Sequence, residues 1–276
     1  MNLVAQGGVL ASEALAELAT LSTAVESFAL GLGAWRFTGV QQSAEVERWC
    51  AGHSLDCAWV PEDRRLCDLR LVAMDMDSTL VTIESIDEMG DLLGIREKIA
   101  AVTEQAMRGE IDYPESLRRR VALLAGLEER SLERICAERM QLSPGAEILV
   151  QRCRELGIRT LLVSGGFSFF TAWLRERLGI DAMLSNELEI EHGRLTGRVV
   201  GGIVDGAAKA ARVRAEIQQL GTTRERTVAI GDGANDIPMM AAAGISVAYR
   251  AKPVVREQAT HAIDHAGLDG VLNLFV

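Results

Sequence analysis

The sequence lacks the cysteine spacing of a zinc site and the long apolar runs of a membrane protein. Its five cysteines are an odd number, form no C-x-x-C pair and have no histidine partner at zinc-finger spacing. We therefore expect reduced thiols rather than zinc ligands or disulfides. No apolar run approaches the ~20 residues of a membrane span, and the N-terminal stretch MNLVAQGGVLASEAL lacks the basic start of a signal peptide. These absences predict a cytoplasmic protein.

The sequence also lacks a surplus of basic residues, since 29 Lys and Arg stand against 39 Asp and Glu, for a net charge of −10. An acidic surface disfavours nucleic acids and anionic membranes as partners, because both require a positive footprint. The 48% hydrophobic and 25% charged residues are ordinary for a globular protein with a sizeable core. We therefore expect a small-molecule partner, no nucleic acid and no membrane. Whether the chain forms a homodimer stays open at this point.

Apolar spacing sets the first region of the chain apart from the rest. In residues 1–68, helical spacing at 11–21 and 44–52 alternates with strand-like runs at 34–40 and 56–60. These patterns predict a small N-terminal α/β domain, and no residue in it has evident chemistry.

From residue 69 onward, apolar runs alternate with helical patterns. Four runs have the composition of strands buried on both faces of a parallel sheet, namely 69–74, 159–163, 227–230 and 245–248. Strands alternating with helices predict βαβ units, and therefore an α/β fold with a doubly wound, Rossmann-like sheet. Gly193 lies between two further apolar stretches and suggests a hairpin.

Residues 86–142 interrupt this alternation. They contain four stretches of helical spacing and no strand pattern. We therefore expect a helical-bundle cap, inserted into the core after its first strand. The core would then comprise residues 69–85 and 143–276, with residues 1–68 as a separate domain.

Short polar motifs follow three of the predicted core strands. Because ligands bind outside the carboxyl ends of the strands in open α/β sheets, such motifs converge on one crevice. Asp75 and Asp77, in the motif Asp-Met-Asp-Ser-Thr, follow the first strand, and residues i and i+2 of a strand end point the same way. We expect one of these carboxylates to act as a nucleophile or metal ligand while the other moves a proton.

The remaining motifs add an anion cradle and further charges. Ser-Gly-Gly at 164–166 precedes a predicted helix, whose N-terminus would offer backbone N–H groups to an anion. Gly-Asp-Gly-Ala-Asn-Asp at 231–236 combines two more carboxylates with glycines that allow close backbone approach. Lys209 opens another predicted helix.

The predicted crevice collects four carboxylates that need a cation. They are Asp75, Asp77, Asp232 and Asp236. One pair of like charges at ~4 Å costs about 4 kcal/mol at an effective dielectric of 20, so the set cannot stay ionised alone. Oxygen ligands without nearby His or Cys indicate Mg²⁺. Carboxylates, Mg²⁺, a lysine and a glycine-rich anion cradle are the parts that phosphoryl transfer needs.

The ordered set of DxDST, SGG, a lysine and GDGxND resembles the haloacid dehalogenase (HAD) superfamily of phosphatases, and within it the phosphoserine phosphatases of the bacterial SerB type. The resemblance covers about residues 69–270. It implies a HAD core with a helical cap, and residues 1–68 resemble the shortened ACT-like domain that some members carry. It also implies Mg²⁺-dependent hydrolysis of O-phosphoserine to serine and phosphate, the last step of serine biosynthesis.

The resemblance assigns a role to each motif residue. It implies that Asp75 attacks phosphorus to form a phosphoaspartate, and that Asp77 is the acid and base. The implied metal ligands are Asp75, Asp77 through its carbonyl, and Asp232. Asp236 would support Lys209 or metal-bound water. The residues that would bind and neutralise phosphate are Ser164, Gly165, Lys209 and Asn235. Of these, Ser164 and Lys209 are also assigned as catalytic.

Substrate selectivity would rest on Glu84 and Arg120, which match the family's pattern. A glutamate suits the substrate ammonium, and the planar guanidinium of an arginine binds a carboxylate through two hydrogen bonds. With the phosphate site, this pair would recognise the three charged groups of O-phosphoserine. Met107 and Tyr113 would form apolar walls in the cap.

Three alternatives remain. A HAD-type phosphatase or phosphotransferase for another small phosphomonoester would be favoured by loss of the pair formed by Glu84 and Arg120. A phospho-acceptor signalling module with a receiver-like core would need neither a second aspartate nor a cap. A dehalogenase would use an aspartate nucleophile but no second aspartate, phosphate-binding lysine or magnesium carboxylates.

Overall fold

The computed structural model describes residues 1–31 and 33–276. Its N-terminal region, up to Val60, forms a four-stranded antiparallel sheet with two helices. The predicted small α/β fold is confirmed, and its elements follow the ferredoxin-like order β-α-β-β-α-β. They are β1 Asn2–Gln6, α1 Ser12–Leu21, β2 Glu26–Gly31, β3 Ala34–Thr38, α2 Ala44–Gly52 and β4 Asp56–Val60. The sheet order is β2-β3-β1-β4. Apolar spacing does not predict β1 or β2, because β1 is buried at every residue and β2 is exposed at nearly every one.

Seven strands form the core sheet, and their bounds are β5 Leu71–Met74, β6 Arg159–Phe167, β7 Ala182–Glu191, β8 Arg194–Val200, β9 Thr227–Gly231, β10 Ile245–Tyr249 and β11 His261–Ile263. They lie in the order β11-β10-β9-β5-β6-β7-β8. All neighbours pair in parallel except β8, which forms the expected hairpin with β7. The Rossmann-like core is therefore confirmed. With three residues, β11 is too short to show a periodic pattern.

Four helices form the insertion between β5 and β6, as the helical spacing predicts, and are α3 Ser85–Leu92, α4 Arg96–Met107, α5 Tyr113–Ala122 and α6 Arg130–Glu138. Asp112 caps α5, because its side chain accepts the backbone N–H of Glu115 at 2.8 Å. Val81 and Leu142 pair as an isolated antiparallel bridge. The two chain segments that connect the cap to the core therefore lie side by side.

The remaining helices, α7 Ala146–Glu155, α8 Ser168–Leu178, α9 Gly206–Gln219, α10 Ile237–Ala242 and α11 Pro253–Arg256, complete the core. Alternate side chains of β5 pack into separate apolar clusters, as expected of a strand covered on both faces. Val72 lies in the cluster that contains Leu149 of α7, whereas Ala73 lies in the cluster that contains Val213 of α9. Within the described residues, no helix is both long and apolar enough to cross a membrane.

Polar contacts fix the N-terminal sheet to the end of the core. The Asp56 carboxylate accepts backbone N–H groups from three consecutive residues, Asp264, His265 and Ala266, at 2.7, 3.1 and 2.8 Å. The buried Arg36 guanidinium donates to two carbonyl oxygens near the C-terminus, those of Asn273 and Phe275. Because each charge is matched by several backbone groups, the two sheets have a defined mutual orientation.

Candidate active site

Three neighbouring strands end at one cavity. Because β9, β5 and β6 lie side by side and run parallel, their carboxyl ends bring Asp232, Asp75 and Ser164 to the same edge of the sheet. The cavity has a volume of about 500 Å³, and none of the described residues before Asp75 lines it. Its walls include most of the residues predicted from the sequence, namely Asp75, Asp77, Glu84, Met107, Tyr113, Arg120, Ser164, Gly165, Asp232 and Asn235.

The turn after β5 holds the Asp77 carboxylate in place. Ser78 adopts a left-handed conformation with φ 54°, and the chain then returns so that Ser85 lies against Asp77. The Asp77 oxygens accept the backbone N–H of Ser85 at 3.1 Å and its hydroxyl at 3.0 Å. Burial, and after it the charge of Glu84, raises the pKa of Asp77 to about 8. Burial therefore favours the protonated form of Asp77, which is the form that can donate a proton.

Lys209 is fully buried directly behind the cavity wall. It lies in the first turn of α9, after the N-cap residue Asp205, and the helix begins at Gly206 rather than at the lysine. The Lys209 Nζ donates to Asp75 Oδ1 at 2.8 Å and to Asp236 Oδ1 at 2.7 Å. Burial lowers the pKa of Lys209, but Asp236 and Asp75 outweigh this effect and raise the pKa above its usual value. The lysine is therefore a permanent buried cation.

Carboxylate oxygens of Asp75, Asp232 and Asp236 lie within 4.8 Å of one another. Burial, and after it the charge of Asp236, raises the pKa of Asp75 well above its usual range and the pKa of Asp232 to about 7. Such shifts show that crowding penalises ionisation, so a cation at this place would be stabilising.

Of these three aspartates, two are available to a metal. Asp236 has both oxygens engaged, because Oδ1 pairs with Lys209 and Oδ2 accepts the N–H groups of Asp232 and Gly233. Among the described residues, Asp75 and Asp232 each keep one carboxylate oxygen without a donor. All-oxygen ligands of this kind suit a hard divalent cation.

The Ser-Gly-Gly motif at 164–166 lies in an irregular part of β6, and its predicted place at a helix N-terminus is wrong. The strand continues to Phe167, and α8 begins only at Ser168. The pairing of β6 with β7 shifts register between Val163 and Phe167. The motif is therefore a strand bulge, and its polar backbone groups are released from the ladder because the bulge interrupts pairing.

Glycine is required in this bulge because other groups come close to its backbone. A Cβ atom at Gly165 would lie 2.1 Å from the Tyr113 hydroxyl oxygen, and one at Gly166 would lie 2.9 Å from Asp77 Oδ2. The Gly165 carbonyl oxygen accepts hydrogen bonds from the Tyr113 hydroxyl at 3.2 Å and from Asn186 Nδ2 at 2.8 Å. Tyr113 is thus a polar contact between cap and core as well as a wall of the cavity.

The predicted selectivity residues line the same cavity, Glu84 from the end of the first core segment and Arg120 from the cap. Glu84 accepts a hydrogen bond from the Ser78 hydroxyl at 2.7 Å. Arg120 lines the cavity and donates from Nε to the Ser116 carbonyl oxygen at 3.4 Å, whereas the neighbouring Arg119 forms an exposed ion pair with Glu115. Met107 reaches the cavity rim with 72% of its surface exposed. A glutamate and an arginine thus face the same space as the aspartates.

Two residues of the site are not predicted from the sequence. Ser85 binds the Asp77 carboxylate, and Asn186 binds the Gly165 carbonyl. Ser85 directly follows Glu84, but a lone serine before a helical pattern is an ordinary helix start. Asn186 lies within a strand and belongs to no motif, so no signal distinguishes it.

Comparisons with known proteins agree with this geometry. The family model of haloacid dehalogenase-like hydrolases matches residues 72–241. A relative from Polaromonas sp., named phosphoserine phosphatase, is 52% identical over 217 residues, which cover 77% of this chain and 92% of the relative.

Two solved structures are also similar. A probable phosphoserine phosphatase from Vibrio cholerae in unliganded form has a TM-score of 0.88 at 36% identity, covering 99% of this chain and 85% of that one. A phospho-aspartyl intermediate analogue of phosphoserine phosphatase has a TM-score of 0.70 at 36% identity, covering 75% of this chain and 99% of the other. The family resemblance found in the motifs is therefore confirmed.

Proposed function

The chain belongs to the haloacid dehalogenase-like hydrolase family, and on that premise we propose that it is a phosphoserine phosphatase, a phosphoric monoester hydrolase of serine biosynthesis. One observation carries the proposal. Asp75, which is paired with a buried lysine, and Asp77, whose pKa is raised by burial, line one cavity together with a glutamate and an arginine. The relatives named above support the substrate, because their names state phosphoserine.

Asp75 and Asp77 divide the chemistry between them. An Asp75 oxygen attacks phosphorus, the bond from phosphorus to the serine oxygen breaks, and the Asp77 proton passes to that oxygen. Serine leaves and Asp75 carries the phosphoryl group. Water then attacks the phosphoaspartate while the Asp77 carboxylate takes its proton, which releases phosphate and restores both side chains. A pKa of about 8 suits Asp77 to both proton transfers near neutral pH.

The phosphoryl group would contact the bulge of β6 and the nearby polar side chains. We assign its binding to Ser164, Gly165, Lys209 and Asn235. Three of them line the cavity, and Lys209 contributes through its contact with Asp75. Donors fixed before the substrate arrives stabilise developing charge without reorganisation.

Mg²⁺ fits the same edge of the sheet. We propose Asp75, Asp232 and the carbonyl of Asp77 as its ligands, because the two carboxylates retain oxygens without donors. A bound Mg²⁺ would neutralise charge on the phosphoryl oxygens. Asp236 pairs with Lys209 instead, because both of its carboxylate oxygens already accept hydrogen bonds within the protein.

Glu84 and Arg120 would bind the ammonium and carboxylate of the substrate, and Met107 and Tyr113 would enclose its carbon atoms. We assign the cap to residues 86–142 and the core to residues 69–85 and 143–276. Cap closure would keep water out until the phosphoaspartate has formed. We further propose a cytoplasmic location, whereas the homodimer stays a prediction that light scattering at two protein concentrations tests.

Phosphate release from a panel of phosphomonoesters tests the function. We expect O-phosphoserine to be preferred, EDTA to abolish release, and Mg²⁺ to restore it better than Ca²⁺, which takes more ligands at longer distances. Asp75→Asn should remove turnover without unfolding the protein, since an amide is a far poorer nucleophile.

The control is Asp181→Asn, which alters a carboxylate of the same core that binds Thr160 outside the cavity. It should remain active. Preference for a different small phosphomonoester would support the alternative phosphatase or phosphotransferase. Wild-type activity in Asp75→Asn would refute the mechanism.

A further inference from the structure

Asn186 is a buried amide beside the site that has no part in the chemistry described above. It lies in β7 with 1% of its surface exposed, opposite Phe167, where the pairing of β6 and β7 resumes after its register shift. It does not line the cavity. Buried side-chain amides need partners at both ends, so its contacts indicate what it holds in place.

Both ends of the Asn186 amide are used. Its Nδ2 donates to the Gly165 carbonyl oxygen at 2.8 Å, and its Oδ1 accepts the backbone N–H of Val204 at 2.8 Å. A carbonyl can only accept and an N–H can only donate, so the two partners specify the same orientation of the amide.

The hydrogen bond from Asn186 to Gly165 replaces a backbone hydrogen bond that is missing between β6 and β7. The bulge of β6 takes residues 164–166 out of regular pairing with β7. The Gly165 carbonyl would otherwise lack a core partner, because its other donor, the Tyr113 hydroxyl, comes from the cap. Asn186 thus fixes the orientation of the peptide that we assign to phosphate binding, whether the cap is closed or open.

The hydrogen bond that Asn186 accepts from Val204 connects it to the segment that carries Lys209. Val204 directly precedes Asp205, the N-cap of α9, whose side chain accepts the N–H of Ala208. Lys209 follows in the same helical turn and bonds Asp75. A single side chain therefore joins the segment that carries the phosphate-binding bulge to the segment that carries the buried cation.

We propose that Asn186 is a positioning residue, which sets the distance between the phosphate-binding bulge at 164–166 and the helix of Lys209. This inference rests on the proposed function. It predicts that a loss at Asn186 affects every phosphate-containing ligand alike, because the phosphoryl site is altered and the contacts of Glu84 and Arg120 are not.

The test is Asn186→Leu, which keeps the shape of the side chain and its lack of charge but removes both the donor to Gly165 and the acceptor for Val204. We expect kcat/KM to fall by roughly 10–100-fold, the scale of a small misplacement in an active site. The fall should be equal for O-phosphoserine and p-nitrophenyl phosphate. The inhibition constant of inorganic phosphate, the product, should rise in the variant, since this ligand contacts the phosphoryl site alone.

Ser185→Ala is the matched control. Ser185 is the neighbouring residue of β7, and its hydroxyl bonds Thr171 Oγ1 at 2.7 Å rather than a group of the site. This variant should lower the melting temperature slightly and leave the inhibition constant of phosphate unchanged. A purely structural role for Asn186 would produce the same pattern in Asn186→Leu.

The inference is overturned if folded Asn186→Leu shows wild-type kcat/KM and phosphate inhibition, whatever its melting temperature. Should the unpaired backbone groups prevent folding, Asn186→Ser serves in its place, because a hydroxymethyl group is too short to bridge both partners and the same results are expected. A wild-type protein that hydrolyses no phosphomonoester would refute the proposed function itself. An active wild type with unaffected Asn186 variants refutes only this inference.

Discussion

Replacing Lys209 by methionine removes a buried cation and leaves its two carboxylate partners in place. The Lys209 Nζ lies 2.8 Å from Asp75 Oδ1 and 2.7 Å from Asp236 Oδ1, and neither Lys209 nor Asp236 has any exposed surface. Methionine is unbranched like lysine and keeps most of the length and volume of the side chain. The change is therefore one of charge rather than of packing.

The structure sets the size of the effect. Removing one partner of a buried ion pair costs about 3–5 kcal/mol, because the remaining charge is uncompensated. For a chain of this length, unfolding entropy of ~2 cal/mol/K per residue converts that loss to a fall in melting temperature of roughly 5–10 °C. The pKa of Asp75, already raised by burial, should rise further, so the nucleophile is neutral more of the time. We expect kcat to fall by roughly 10²–10³-fold, as when a preorganised charge is lost.

Calorimetry and phosphate release test this prediction together. Lys98→Met is the control, since Lys98 lies exposed on α4 and should tolerate the same change. In the double variant Lys209→Met with Asp236→Asn, part of the stability should return, because one unpaired carboxylate is gone, while turnover stays low. A Lys209→Met protein with the wild-type melting temperature and turnover would refute the buried ion pair as the organiser of the site.

Three further predictions follow from the same structure. Arg120→Ala should cost about 2–5 kcal/mol in kcat/KM for O-phosphoserine and much less for an aryl phosphate, since only the former has a carboxylate; equal losses would remove the support for phosphoserine. Burial, and after it Arg64, lowers the pKa of His261 to about 4, so the unfolded chain binds the proton more readily and stability is lost as pH falls from about 6.5 toward 4. Between pH 7 and pH 5, the free energy of unfolding measured with urea should fall by about 2 kcal/mol more in the wild type than in His261→Gln. Equal decreases in the two proteins would contradict this. A chain beginning at Pro61 should keep measurable turnover, because none of the described residues before Pro61 lines the cavity, and its melting temperature should be lower, because the Asp56 contacts would be lost. A folded truncation without turnover would show that the N-terminal region helps to build the site.

The central part of the fold was predictable because its strands are buried on both faces. β5 contains only apolar residues, and the one polar residue of β9, Thr227, is itself β-branched and favours a strand. Asp75 and Asp232 follow such runs immediately, so their convergence required only the rule that ligands bind at carboxyl strand ends. The edge strands β2 and β11 gave no comparable signal, because β2 is exposed and β11 has three residues.

The parts of the site that escaped prediction depend on contacts distant in sequence. The burial of Lys209 results from Asp75 and Asp236, and helical spacing alone places a lysine in solvent. The bulge at 164–166 is defined by its misalignment with β7, which no local pattern encodes. Asn186 likewise acquires its partners, Gly165 and Val204, only when three segments have assembled.

The central place of β5 in the sheet also governs when the protein can become active during its synthesis. Leu71 pairs with Arg159 on one side and with Thr227 on the other, so β5 leaves the ribosome long before either partner exists. Such distant pairings form slowly, and the waiting apolar strand is prone to aggregation. The nucleophile at the end of β5 is therefore positioned late, when β9 has been made and the sheet has closed around the strand.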